Sequence, residues 1–260
     1  MCLLVFAWQS HPRYPLVLAG NRDEFHARPA AAAAWWPSPA GVLAGRDLQA
    51  GGTWLGIHRD GRFAVVTNYR EAAADTTGRR SRGELVVDYL ASRHTPAHWV
   101  EALAERQQDY GGYNLLVGDR RDAHYLTNRG DDIIGLRPGV YGLSNHRLDT
   151  PWPKVQKARD RLRDEIDQRD LAAEPLFRIL ADRSPAPDDE LPDTGVPPEW
   201  ERLLSATFIV SPNYGTRVSS VLLVAADGRT EFEERSYGAD GDLMGETHHV
   251  VAPDSGARSG

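Results

Sequence analysis

The chain has 260 residues, a length that one large core or two small ones can serve, and its 41% hydrophobic and 26% charged residues exclude an intrinsically disordered protein. Its 37 acidic residues against 30 basic ones give a net charge of −7, which argues against a nucleic-acid partner because phosphate backbones repel an acidic surface. A single cysteine excludes an internal disulfide and suits a reducing cytoplasm, and no run approaches the ~18 apolar residues of a membrane span, so the expectation is a soluble, cytoplasmic protein.

Cys2–Trp8 is an apolar run closed by Gln9-Ser10-His11-Pro12. It lacks the basic flank and cleavage site of a signal peptide and reads as a strand. His11–Pro15 is a turn cluster and Leu16–Ala19 a second apolar run, so the spacing predicts a hairpin that begins at residue 2. Further strands are predicted at Val42–Ala44, Thr53–Ile57 and Phe63–Thr67, with Asp60-Gly61 as a hairpin turn. Gly51-Gly52 marks a bulge or a close backbone approach.

Ser81-Arg82-Gly83-Glu84 has the form of a capping box, and Leu85, Val86, Tyr89 and Leu90 then share one helical face. Thr95-Pro96 starts a second helix with Trp99, Val100 and Leu103 as its stripe. Strands return at Tyr113–Gly118, Ala123–Thr127 and Val140–Leu143, then helices at Pro153–Asp167 and Pro175–Ala181. Ser184–Pro198 reads as an exposed loop. The last strands are expected at Thr207–Val210, Ser219–Ala225 and Thr230–Arg235, with a single domain ending near residue 245 and a flexible tail over 246–260. Short turns between strands make the pairing antiparallel, and two sheets with helices packed outside would bury both.

Chemistry points to Cys2. The initiator Met is commonly removed before a small residue, which would leave one residue carrying both a thiol and an α-amine of pKa ~7.7–8.0. Such an amine is a base beside its own nucleophile. The polar run Asn21-Arg22-Asp23-Glu24 ends the second hairpin strand and can lie beside Cys2, where Asp23 would orient the amine and Arg22 would hold a thiolate or substrate carboxylate. Asn68 and Asn145, at strand ends, suit an oxyanion because they offer N–H groups without charge. The alternative for each is a buried core cysteine, a solvated polar turn, or a turn-forming Asn. Arg79, Arg80 and Arg82 precede a capped helix and would receive phosphate, as in coenzyme A, unless they form a solvated loop. The nine histidines are scattered without ligand spacing, so no metal site is indicated, and no nucleotide-binding motif occurs.

Seven motifs occur in order: Met1-Cys2, Asn21–Glu24, Gly51–Gly56, Thr67–Arg70, Tyr141–Asn145, Asp149–Lys154 and Tyr214–Arg217. Together they resemble the NRDE family, the family of the transport and Golgi organisation protein 2, over nearly the whole chain. The resemblance implies an α+β, four-layer αββα sandwich of two mainly antiparallel sheets, like that of N-terminal-nucleophile (Ntn) hydrolases that cleave linear amides. It implies Cys2, Arg22, Asp23, Asn68, Asn145 and Arg217 as catalytic residues, and Asn21, Glu24, Trp54, Tyr69 and Tyr214 as substrate-binding candidates. The expected reaction is hydrolysis of a non-peptide amide or thioester with no required cofactor. The alternative is a non-catalytic carrier, with haem or an acyl ligand in the same pocket, since relatives are linked to haem trafficking and acyl-coenzyme A metabolism.

Overall fold

The computed structural model describes residues 2–71, 79–130, 133–168 and 170–253. In chain order, β1 (Cys2–Trp8), β2 (Leu16–Phe25), β3 (Ala30–Trp35), β4 (Val42–Asp47), β5 (Leu55–His58) and β6 (Phe63–Asn68) lead into the helices α1 (Gly83–Ala91) and α2 (Pro96–Ala104). Then come β7 (Tyr113–Gly118), β8 (Ala123–Thr127), β9 (Ile133–Gly135), β10 (Gly139–Leu143), α3 (Pro153–Ile166), α4 (Ala173–Leu180) and α5 (Pro198–Leu204). Strands β11 (Tyr214–Val224), β12 (Thr230–Tyr237) and β13 (Leu243–Val251) follow.

The hairpin of β1 and β2 pairs Cys2 with Arg22 and Trp8 with Leu16. It sits inside a six-stranded sheet ordered β10-β1-β2-β11-β12-β13, and β3 to β9 form a seven-stranded sheet in sequence order. Every strand pairing is antiparallel.

Period-2 alternation sorts the hairpin's side chains. Leu4, Phe6, Trp8, Leu16 and Leu18 point between the sheets and meet Leu43, Leu55, Ile57 and Phe63. Leu3, Val5, Ala7, Val17 and Ala19 point the other way, onto Val155, Leu162, Leu176 and Phe177 of α3 and α4. Both faces of β1 are therefore buried, which explains its unbroken apolar run. Helices α1 and α2 cover the outer face of the second sheet through Leu85, Val86, Tyr89, Leu90, Trp99, Val100 and Leu103. The layers are α, β, β, α, which is the four-layer, Ntn-hydrolase-like sandwich that the family resemblance implies.

Three expectations are corrected. Residues 246–251 are not part of a loose tail: Leu243–Val251 pairs along β12, with Glu246 opposite Arg235 and Val251 opposite Thr230, while 254–260 lie outside the described residues. Thr207–Val210 is not a strand. It crosses the start of β11 with irregular bonds, Phe208 N–H to Asp182 O and Thr216 N–H to Ile209 O. Strands β3 and β9 and helix α5 were not foreseen, and β3 is formed largely by alanines. Helix α1 begins at Gly83, with no side chain capping it, and the foreseen box survives only as Glu84 accepting the Ser81 N–H at 3.2 Å.

Candidate active site

A cavity of about 280 Å³ opens where the ends of β1, β2, β4 and β6 meet the start of α1. Cys2, Arg22, Asp23, Glu24, Trp54 and Asn68 line it, as do Arg79, Arg80 and Arg82, so nine of the residues singled out in the sequence converge there. Cys2 is half-buried, and its carbonyl accepts the Ser144 hydroxyl at 3.0 Å, which ties the chain start to the end of β10.

The hairpin register sets the rest. Arg22 faces Cys2 across the strands and stacks its guanidinium 4.7 Å from the Trp54 ring centroid. Its Nη2 donates to Asp47 at 3.3 Å and lies 3.8 Å from Glu24. Asp47 is held in turn by Arg28 Nε at 2.6 Å and by the N–H groups of Gln49 and Ala50, both at 3.0 Å. Burial opposes charge on Asp47, but these N–H groups and Arg28 outweigh it and keep the carboxyl below its ordinary range. Arg28 and Asp47 were missed in the sequence. The signal was there: an Asp whose side chain closes a turn just before Gly51-Gly52.

Asp23 is buried and accepts the Thr216 hydroxyl at 2.7 Å. Burial pushes its carboxyl up, and Lys154 and Arg22 pull it back. Burial also pushes the Cys2 thiol up. Asp23 adds to that, whereas Arg22 and a hydrogen bond from the Asp23 backbone N–H favour the thiolate. At rest the sulfur is therefore protonated and needs a base at the moment of attack.

Gly52 fixes the opposite wall. A Cβ there would lie 2.5 Å from the Gly83 carbonyl carbon, so only glycine lets the turn touch the start of α1. That contact sets Arg79, Arg80, Ser81, Arg82 and Gly83 along the cavity.

The remaining sequence candidates do not line it. Asn145 is buried behind Asn68, donating Nδ2 to the Asn68 carbonyl at 2.9 Å and accepting the Arg70 N–H on its own carbonyl at 2.7 Å. Asn21 braces the back of the sheet, donating to the carbonyls of Leu180 at 2.9 Å and Thr207 at 2.8 Å. Arg217 occupies the bulge of β11 and donates to the carbonyls of Phe25, His26 and Arg28, each at 3.1 Å, so it holds the turn that carries Arg28. Tyr214 is buried against Phe25 and Trp200, and Tyr69 lies tilted against His146. None of the histidines lines the cavity. One carboxylate–imidazole group among the described residues, Glu231, Glu233 and His248, also lies outside it. No helix among the described residues is long and apolar enough to cross a membrane.

The family described as Transport and Golgi organisation 2 matches residues 1–239. The Transport and Golgi organization protein 2 homolog of Bos taurus is 36% identical over 273 residues, covering 96% of this chain and 98% of its own length. Among solved structures, the Caenorhabditis elegans ortholog of N-acylethanolamine-hydrolyzing acid amidase superposes with a TM-score of 0.51 at 10% identity, over 85% of this chain and 92% of that one. A mutant conjugated bile acid hydrolase from Clostridium perfringens gives 0.50 at 10% identity, over 97% and 92%. These two likenesses carry the fold alone.

Proposed function

The chain belongs to the Transport and Golgi organisation 2 family, and from that premise we propose that it is an Ntn-type cysteine hydrolase of a non-peptide amide or thioester. The observation that carries this reading is the convergence of Cys2, Arg22, Asp23 and Asn68 on one cavity at the chain's start. Removal of Met1 would leave the α-amine of Cys2 beside its thiol. The amine takes the thiol proton as sulfur attacks the carbonyl, forming the C–S bond. Asn68 donates to the oxyanion. The amine's proton then passes to the departing nitrogen or sulfur as its bond to carbon breaks, and water hydrolyses the resulting acyl-Cys2 to a free carboxylate. Asp23 orients the amine, and Arg22 favours the thiolate through charge.

A haem carrier has less support, because no imidazole faces the cavity and Cys2 would be its sole soft ligand. A lone nucleophilic thiol fits a reducing cytoplasm. The test is turnover of a panel of simple acyl amides and thioesters. Cys2→Ala should abolish it, and Asn68→Ala should lower kcat by about 10²–10³ with KM little changed. Full activity in Cys2→Ala would remove the reading.

A further inference from the structure

The cavity holds more positive than negative charge. Arg22, Arg28, Arg79, Arg80 and Arg82 line it against Asp23, Glu24 and Asp47. Glu24 and Asp47 are engaged by Arg22 and Arg28. Arg80 turns away to Glu84 and Asp88 on α1. Arg79 and Arg82 reach only main-chain carbonyls among the described residues, Tyr110 O at 2.9 Å and Gly112 O at 3.1 Å. Arg82 also lies within electrostatic reach of Cys2, Glu24 and Glu71, and Arg79 within reach of Glu71, a carboxylate that Arg129 already holds at 2.7 Å.

A second observation comes from inside the cavity. The Arg22 side chain is only 6% exposed, and its Nη1 has no hydrogen-bond acceptor among the described residues. A buried guanidinium N–H without an acceptor is uncommon in a native protein and calls for one. The stack on Trp54 keeps the planar fork in place, so the group is pre-set for a planar or tetrahedral oxyanion.

We propose that the substrate handled at Cys2 carries an anionic group, a carboxylate or a phosphate, seated between Arg79 and Arg82 at the mouth and met from within by Arg22. This deepens the hydrolase reading and rests on it for the identity of the reacting group. The two surplus guanidiniums select charge in a molecule that is acidic overall, so the selectivity is local to the cavity mouth.

The test is binding to the Cys2→Ala protein of three hexanoyl amides: neutral N-propylhexanamide, N-hexanoyl-β-alanine and N-hexanoyl-aminoethyl phosphate. At least one anionic amide should bind about tenfold tighter than the neutral one, and its identity separates carboxylate from phosphate. The preference should shrink as salt rises and fall in Arg82→Gln and in Arg79→Gln. The Arg79 side chain is exposed, which keeps that second variant informative if Arg82→Gln folds poorly. Equal binding of all three amides, or a preference that survives in both variants, overturns the proposal. Tight, arginine-dependent binding with no hexanoate released by the unsubstituted protein upholds the anion site and removes the hydrolase reading alone.

Discussion

Cys2 sits between opposing influences. Desolvation and the Asp23 carboxylate raise its thiol, and Arg22 and the Asp23 N–H lower it, with burial dominant. A thiol raised in this way holds little thiolate at neutral pH, so its alkylation by iodoacetamide should still be rising at pH 9. Arg22→Gln removes a cation that favours the thiolate and should move the profile to still higher pH. A labelling rate that levels off near pH 7, or one unmoved by Arg22→Gln, would contradict this electrostatic account. Asn145 and Arg217 carry a related lesson. Both belong to motifs shared with a family, yet neither lines the cavity: one holds the Asn68 main chain and the other holds the turn bearing Arg28. Motif matching finds residues that must stay, and only geometry separates those that face a substrate from those that brace the ones that do.

At the scale of elements, the contact between the Gly51-Gly52 turn and α1 is the joint on which the cationic wall depends. Gly52→Ala drives a Cβ into the Gly83 backbone and should cost roughly 1–3 kcal/mol while slowing acylation of Cys2. Gly51→Ala meets nothing within 4 Å and is opposed only by its φ of +79°, so it should cost about 1 kcal/mol with chemistry intact. Denaturant melts of the two variants check the contrast, and equal losses would refute it. The strands and helices that bury a regular stripe were legible in the sequence: β7 and β8 fall on their predicted residues, and α3 ends one residue early. The elements that were not legible bury little. Strand β3 is built of alanines that are mostly exposed, and β13 exposes Leu243, Met244 and Val250 along a sheet edge, so neither leaves an apolar alternation to read. Thr207–Val210 misled for the opposite reason. It is apolar because Phe208 and Ile209 are buried, without a strand partner to pair with. At the site, Cys2 and Arg22–Glu24 were readable because the hairpin starts at the terminus. The Asp47 turn left a signal before Gly51-Gly52, but its pairing with Arg28 was not readable, because that link depends on the β4 turn folding back onto β2.

Across the whole molecule the two sheets are joined by apolar packing and by polar links, the Arg22–Asp47 pair at the cavity and the buried acid Glu234 among them. Glu234 of β12 reaches across to β3, accepting the Ala33 N–H at 2.8 Å and the Ser220 hydroxyl at 3.4 Å. Burial raises its carboxyl from 4.5 to about 7. Between those values the folded chain binds the proton more tightly than the unfolded one, so this group's contribution to stability is full below pH 4.5 and is lost as pH rises through 7. The loss is on the order of 3 kcal/mol. Glu234→Gln should therefore raise the melting temperature at pH 8 relative to the unsubstituted protein and leave it little changed at pH 4.5. The same difference at both pH values would show that Glu234 does not titrate between them.

The sandwich architecture matters to function through one geometric consequence: it delivers the chain's beginning to a charged cavity between sheets. The most direct measurement is the intact mass of the purified protein before and after exposure to an acyl thioester. The account predicts a chain lacking Met1 that gains one acyl group, on Cys2, and gains none when Cys2 is replaced by alanine. A mass that retains Met1, or an acyl group found elsewhere with Cys2 untouched, would contradict it.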